Sequence, residues 1–119
     1  MLSVGIDLVE IKRIKKLMEN PRFFERVLGE NEYKQLKERG LSAQSVAINF
    51  CAKEAFSKAI GTGIRNFRLK EVELLRDELG KPYLKLSGNA LKITQENKLQ
   101  FAVSATHTRE HASVVIIAQ

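Results

Sequence analysis

Two carboxylates and a lysine carry the first chemical signal in this sequence. Asp7 lies in the otherwise apolar run Leu2-Ser-Val-Gly-Ile-Asp7-Leu-Val9. Aspartate is a poor strand former, and burying its charge is costly unless something compensates. It shares a strand face with Gly5, so open space is expected beside the carboxylate; the competing reading is an outward-facing Asp on a half-exposed strand. Further on, Ile48, Cys51, Ala52, Ala55, Phe56 and Ala59 form one apolar face at about 100° per residue. Glu54 and Lys58 lie one turn apart at its edge, with Lys53 expected to point further toward solvent. As a solvated pair they would contribute about 0.2–0.5 kcal/mol; at the rim of a pocket they would be a carboxylate and an ammonium available for chemistry. Asp7 and Glu54 together could hold a hard divalent cation. Mg²⁺ typically takes one or two carboxylates and fills its octahedron with waters and substrate phosphates, so such a site suggests a metal that arrives with a phosphate ester.

Other groups fit that chemistry without proving it. Gly61-Thr62-Gly63 could bring backbone amides close to phosphate oxygens, although a helix C-cap explains the glycines equally well. Ser104-Ala-Thr106-His107-Thr108-Arg109 clusters hydroxyls, an imidazole and a guanidinium, which are phosphate-binding groups or a polar hairpin turn. There is no Walker-type loop and no dinucleotide fingerprint. Cys51 sits on the apolar helix face and reads as packing, not as a nucleophile.

The elements that must position these residues follow from periodicity. Leu2 to Val9 alternates as a strand, with Leu2, Val4, Ile6 and Leu8 on one face and Ser3, Gly5, Asp7 and Val9 on the other. Ile11 to Met18 is a basic helix ended by Asn20-Pro21; Arg22 to Leu28 and Glu30 to Arg39 are shorter helices. The longest helix is expected from Ser42 to Ile60, stopped by Gly61. Lys70 to Leu75 and Tyr83 to Leu86 form a hairpin through Asp77-Glu-Leu-Gly80, Gly88 to Asn97 a helix, and Gln100 to Ala105 with Ala112 to Ala118 a last strand pair. The sum is an α+β fold: a mainly antiparallel sheet, a long central helix and an N-terminal helical cluster.

The 119 residues fit a single domain, 1–119. Twenty Lys and Arg against fourteen Asp and Glu give a net charge of +6, which favours an anionic partner: nucleic acid, membrane surface, phosphorylated small molecule or acidic protein. One cysteine permits no internal disulfide, which suits a reducing, cytoplasmic setting. The N-terminus lacks the pattern of a signal peptide, and no apolar run approaches the roughly 20 residues that span a bilayer.

Together these pieces resemble the small holo-[acyl-carrier-protein] synthases of the phosphopantetheinyl transferase superfamily. The strongest parts are Gly5-Ile-Asp7-Leu-Val-Glu10-Ile11 and Phe50-Cys-Ala-Lys53-Glu54-Ala-Phe-Ser57-Lys58-Ala, with Gly61-Thr-Gly63, Gly80-Lys81-Pro82 and Ser104-Ala-Thr106-His107-Thr108 in the same order. The resemblance implies that Asp7 and Glu54 hold Mg²⁺ against the pyrophosphate of coenzyme A and that Lys58 neutralises charge there. It implies that Gly61, Thr62, Gly63, Lys81, Pro82, Ser104, Thr106 and His107 line the nucleotide end, including its 3′-phosphate. It places an acidic acyl carrier protein on Arg13, Arg22, Phe23 and Arg26, and it implies a homotrimer with active sites between subunits. Two departures stand out: Asn49 occupies a position where many members carry an arginine, and Val9 stands where larger members have a third acidic ligand.

The implied reaction is attack of a carrier serine hydroxyl on the β-phosphate of coenzyme A, releasing 3′,5′-ADP, in support of fatty acid biosynthesis. Glu54, or a water beside it, would take the serine proton, so Glu54 and Lys58 are the expected catalytic pair. The rival is a basic module that holds RNA through charge. Single-strand binders need stacking aromatics; this chain has no Trp, two Tyr, and six Phe mostly in apolar patterns.

Overall fold

A computed structural model describes residues 2–61 and 66–119. The order is β1 (Ser3–Glu10), α1 (Ile11–Leu17), α2 (Arg22–Val27), α3 (Glu30–Glu38), α4 (Ala43–Ile60), a 3₁₀ turn (Leu69–Glu71), β2 (Val72–Arg76), β3 (Pro82–Leu86), α5 (Gly88–Glu96), β4 (Phe101–His107) and β5 (His111–Ala118). All strand pairing is antiparallel, in one sheet ordered β1-β5-β4 and a β2-β3 hairpin. The α+β class and every expected element are present. Two boundaries move by two residues: Leu69–Glu71 is a 3₁₀ turn and β2 starts at Val72, not Lys70, and β4 runs on to His107 where the pattern ended it at Ala105.

Helix α4 begins with Ser42, whose hydroxyl accepts from the backbone N–H of Ser45 at 3.2 Å. It ends at Gly61, which takes φ 78° and returns its N–H to the carbonyl of Lys58. Between those caps the helix is buried on nearly all sides, with Val46, Ala47, Cys51, Ala52, Ala55 and Phe56 fully enclosed. Phe56 packs against the rings of Phe67 and Phe101 at 5.3 and 5.2 Å.

The alternation of β1 is as expected, but its apolar side faces outward. Leu2, Val4, Ile6 and Leu8 are 60–70% exposed, while Gly5 and Val9 are buried against α4. The reason is interaxial distance. A Cβ at Gly5 would collide with the carbonyl oxygen of Ala55 and lie 2.5 Å from the amide of Ala59. The space expected to be open beside Asp7 is therefore filled by helix backbone, and only a residue without a side chain permits the approach. Gly5→Ala should cost about 3 kcal/mol, because backbone atoms cannot rotate aside as a flexible side chain can. Urea denaturation reads this directly; a loss below about 0.5 kcal/mol, the size of an ordinary surface change, would contradict it.

A buried polar network corrects a second expectation. Lys53 is fully buried, not turned to solvent. Its Nζ donates to Glu32 Oε1 at 2.6 Å and to the carbonyls of Leu69 and Val72. Glu32 also accepts from the backbone N–H groups of Gly29 and Leu74 and from Asn49 Nδ2 at 2.9 Å. Burial pushes the Glu32 carboxyl up and the Lys53 ammonium down, and each charge opposes the other's shift. Asn49, 3% exposed, completes the set with a bond to the carbonyl of Leu74. At the position where the resemblance expects an arginine, this chain thus has a strut inside the α3–α4–β2 junction, turned toward Glu32.

Candidate functional site

Asp7 projects from the helix-facing side of β1, opposite Val114 of β5. Its side chain is 17% exposed and accepts from Lys58 Nζ at 3.1 Å through Oδ1. Lys58 Nζ also donates to the carbonyl of Ile6 at 3.0 Å, so the lysine bridges α4 to β1 and does not pair with Glu54 along its own helix. On the buried side, the Cys51 thiol donates to Asp7 Oδ2 at 3.5 Å. Burial and the adjacent Asp7 charge push that thiol up to about 12, which leaves Cys51 a neutral donor at neutral pH.

Glu54 lies close enough to Asp7 to feel its charge. Burial first, and then Asp7, raise the Glu54 carboxyl above its ordinary range, while Lys58 and Arg13 pull it down. The two carboxylates predicted to share a cation are therefore electrostatic neighbours brought together from separate elements. Among the described residues no group of three or more His, Cys, Asp or Glu could hold a metal. Two hard oxygen donors nonetheless fit Mg²⁺, which keeps waters and adds substrate phosphate oxygens. The mutual repulsion of Asp7 and Glu54 is what a divalent cation would relieve.

The expected nucleotide residues do not join this cluster within one chain. Val114 pairs with Ala105 of β4, so Asp7 and Ala105 share the helix side of the sheet while Ser104 and Thr106 face the other way. Ser104, His107 and Pro82 line a separate cavity of about 310 Å³ that also contains Arg39 and Arg76. His107 Nε2 and Gln44 Nε2 are 3.0 Å apart there. Lys81 and Pro82 border an adjoining, more apolar cleft with Tyr83, Leu84 and Phe101. Gly61 caps α4, and Thr62 and Gly63 lie outside the described residues. Arg39 and Arg76, which the sequence reading did not single out, line this cavity too; Arg76 stands at the foot of the Asp77–Gly80 turn, beside Lys81-Pro82.

On the helical cluster Arg13, Arg22 and Arg26 are exposed. The Arg13 guanidinium lies 5.9 Å from the centroid of the Phe50 ring. Phe23 is 7% exposed and packs on Phe24 and Phe50 at 5.6 and 6.4 Å, so it supports this surface from beneath.

The site thus pairs Asp7 of a glycine-containing first strand with Glu54 and Lys58 of the long helix packed against it. Residues 3–115 match the family model described as the 4'-phosphopantetheinyl transferase superfamily, and the chain belongs to that family. Among curated relatives it is 44% identical over 118 residues to the holo-[acyl-carrier-protein] synthase of Alkaliphilus metalliredigens, covering 98% of this chain and 97% of that one. The Fusobacterium nucleatum enzyme of the same name is 38% identical, with 98% of each chain covered. Solved structures agree. The Neisseria meningitidis holo-[acyl-carrier-protein] synthase superposes with TM-score 0.91 at 29% identity, over 98% of this chain and 97% of that one. The Bacillus anthracis synthase, solved in complex with CoA (3',5'-ADP), gives TM-score 0.82 at 34% identity, over 98% and 94%.

Proposed function

We infer that this chain is a holo-[acyl-carrier-protein] synthase that transfers the 4′-phosphopantetheine of coenzyme A to a serine of an apo-acyl carrier protein. The full-length similarity to synthases of that name, two of them solved with coenzyme A bound, supports the assignment. The observation that carries the chemistry is the Asp7–Glu54 neighbourhood with Lys58 Nζ 3.1 Å from Asp7. Asp7 and Glu54 would hold Mg²⁺, and Cys51 and Lys58 orient the Asp7 carboxylate from its two sides. Bound there, the cation would supply positive charge that offsets the charge of the pyrophosphate. Lys58, half exposed, reaches the same phosphate oxygens. Glu54, or a water beside it, takes the proton of the carrier serine. The serine oxygen forms a bond to the β-phosphorus, the bond to the bridging oxygen breaks, and 3′,5′-ADP leaves. The test is the mass of an apo-carrier incubated with enzyme, coenzyme A and Mg²⁺. A gain of one phosphopantetheine that disappears in excess chelator is expected; no gain refutes the function, and a gain undiminished by chelator refutes the metal.

The outward apolar face of β1 supports a homotrimer. Leu2, Val4, Ile6 and Leu8 run beside Ile117, itself 41% exposed, and a stripe of this kind marks an interface. Ser104 and Thr106 lie on that same outer face, so subunits meeting there bring them toward a neighbour's carboxylates and share the site between chains. The chain acts as one domain, 1–119, in the cytoplasm and in fatty acid biosynthesis. No described helix is long and apolar enough to cross a membrane.

The carrier docks on Arg13, Arg22 and Arg26. Charge reversal at Arg26 should raise the KM for carrier and weaken its salt dependence, leaving the KM for coenzyme A nearly unchanged, because rim charges mostly tune encounter. Steady-state kinetics at two ionic strengths separate these; a rise confined to the coenzyme A KM would assign α2 to the nucleotide instead.

A further inference from the structure

Asp7 is held by two donors that differ in kind. Its backbone is fixed in β1, paired with Val114 and with its carbonyl accepting from Ser113 Oγ at 2.8 Å. Only the carboxylate is left to be aimed. Lys58 Nζ donates to Oδ1 at 3.1 Å from a side chain that is 53% exposed. The Cys51 thiol donates to Oδ2 at 3.5 Å and is fully buried. The lysine has a flexible four-carbon stem and solvent to turn into. The cysteine is short and enclosed where α4 packs on β1 and β5, and its other acceptor is the carbonyl of Ala112 at 3.8 Å.

That inequality matters when a phosphate arrives. A pyrophosphate carries more charge than one carboxylate, so it competes for the Lys58 ammonium, and the lysine is able to follow it. Oδ1 then loses its donor, whereas Oδ2 keeps its own because the thiol has nowhere to go. An apolar side chain at position 51 would take solvent from the carboxylate and return no hydrogen bond. A thiol returns one, although it is a weak donor.

We propose that Cys51 is a positioning residue for this reaction: its S–H holds Asp7 Oδ2, so that Oδ1 stays available to the cation after Lys58 has turned to the pyrophosphate. This rests on the transferase reading above and adds to it a fixed donor and a mobile one, with separate tasks. Groups that orient a metal ligand in this way commonly set affinity without touching the metal.

The test compares the wild-type protein with Cys51→Ala and Cys51→Ser, each checked for its melting temperature. Mg²⁺ affinity is measured by calorimetry on protein saturated with coenzyme A, without carrier, so that no turnover occurs. Alanine removes the donor and should weaken Mg²⁺ on the order of tenfold, the low end for such a group. Serine keeps a donor and should restore most of the affinity. Packing alone predicts the opposite order, since a hydroxyl suits an apolar layer less well than a methyl. In carrier modification the loss should fall on the KM for Mg²⁺ more than on kcat. Infrared spectra give an independent readout, because Cys51 is the only cysteine in the chain. Its S–H stretching band should lie lower in the wild-type protein than in Asp7→Ala. It should stay lower when Mg²⁺ and S-methyl-coenzyme A, which has no thiol of its own, are added together. Unchanged Mg²⁺ affinity in Cys51→Ala, or a serine variant weaker than alanine, overturns the proposal. So does a band that Asp7→Ala leaves in place, or one that rises to the Asp7→Ala position with both ligands bound. If the wild-type protein never modifies carrier, the transferase reading falls, and the infrared band still decides whether the thiol holds Asp7.

Discussion

Glu54→Gln should lower turnover at least about 10²-fold while moving the melting temperature little. A general base contributes roughly 10²–10⁴-fold, and the amide keeps the shape of the side chain while losing both its charge and its basicity. The stability argument runs from the structure. Glu54 is only partly buried, its carboxyl makes no ion pair among the described residues, and Lys58 is engaged with Asp7. Its neighbours Asp7 and burial itself disfavour the ionised form, so removing the charge relieves repulsion in the free protein. Loss of activity without loss of stability is the signature of a group held for function. Lys58→Ala should lower the rate as well and weaken coenzyme A binding, since the Nζ spans the carbonyl of Ile6 and Asp7 at the site's mouth. Turnover at matched folded fraction is the measurement. A tenfold or smaller loss for Glu54→Gln would remove it from proton transfer.

Lys53→Met should do the reverse, costing about 3–5 kcal/mol of stability, the range seen when one partner of a buried ion pair is removed. Glu32 would be left charged and enclosed, with the carbonyls of Leu69 and Val72 stripped of their donor. The pair itself need not be strongly stabilising, because both ions lose their hydration on burial. Truncation is expensive for another reason: it leaves the remaining charge uncompensated. Adding Glu32→Gln to Lys53→Met should therefore recover a large part of the loss. Chemical denaturation of the two single variants and the double one forms a cycle with a coupling above 1 kcal/mol, as residues in one network show. Additive single losses would mean that the network is not coupled.

Much of the fold was legible because periodicity survives into structure. The alternation of β1, the start of α4 at Ser42, the stop at Gly61 and the Asp77–Gly80 turn all rest on interactions within a few residues of one another. Asp7, Glu54 and Lys58 could be singled out for a similar reason. A charge placed in an apolar run is conspicuous before any contact is known, and the resemblance gave those charges a role.

What could not be read locally was the partner of each face. Both sides of β1 are plausible core by composition, and the apolar one loses because α4 approaches Gly5 too closely for larger residues on that side. Lys53 and Lys58 look alike on a helical projection. The first is captured by Glu32 across 21 residues and the second by Asp7 across 51. The Arg39–Arg76 cavity depends on Gln35 pinning a strand 41 residues away. The sequence by itself determined the elements, their order, the family and the carboxylates that face the chemistry, since each is encoded in short-range pattern or local motif. Tertiary structure alone decided which face is interior, which lysine is structural and where two arginines meet, because those outcomes depend on distances between elements that no single segment specifies.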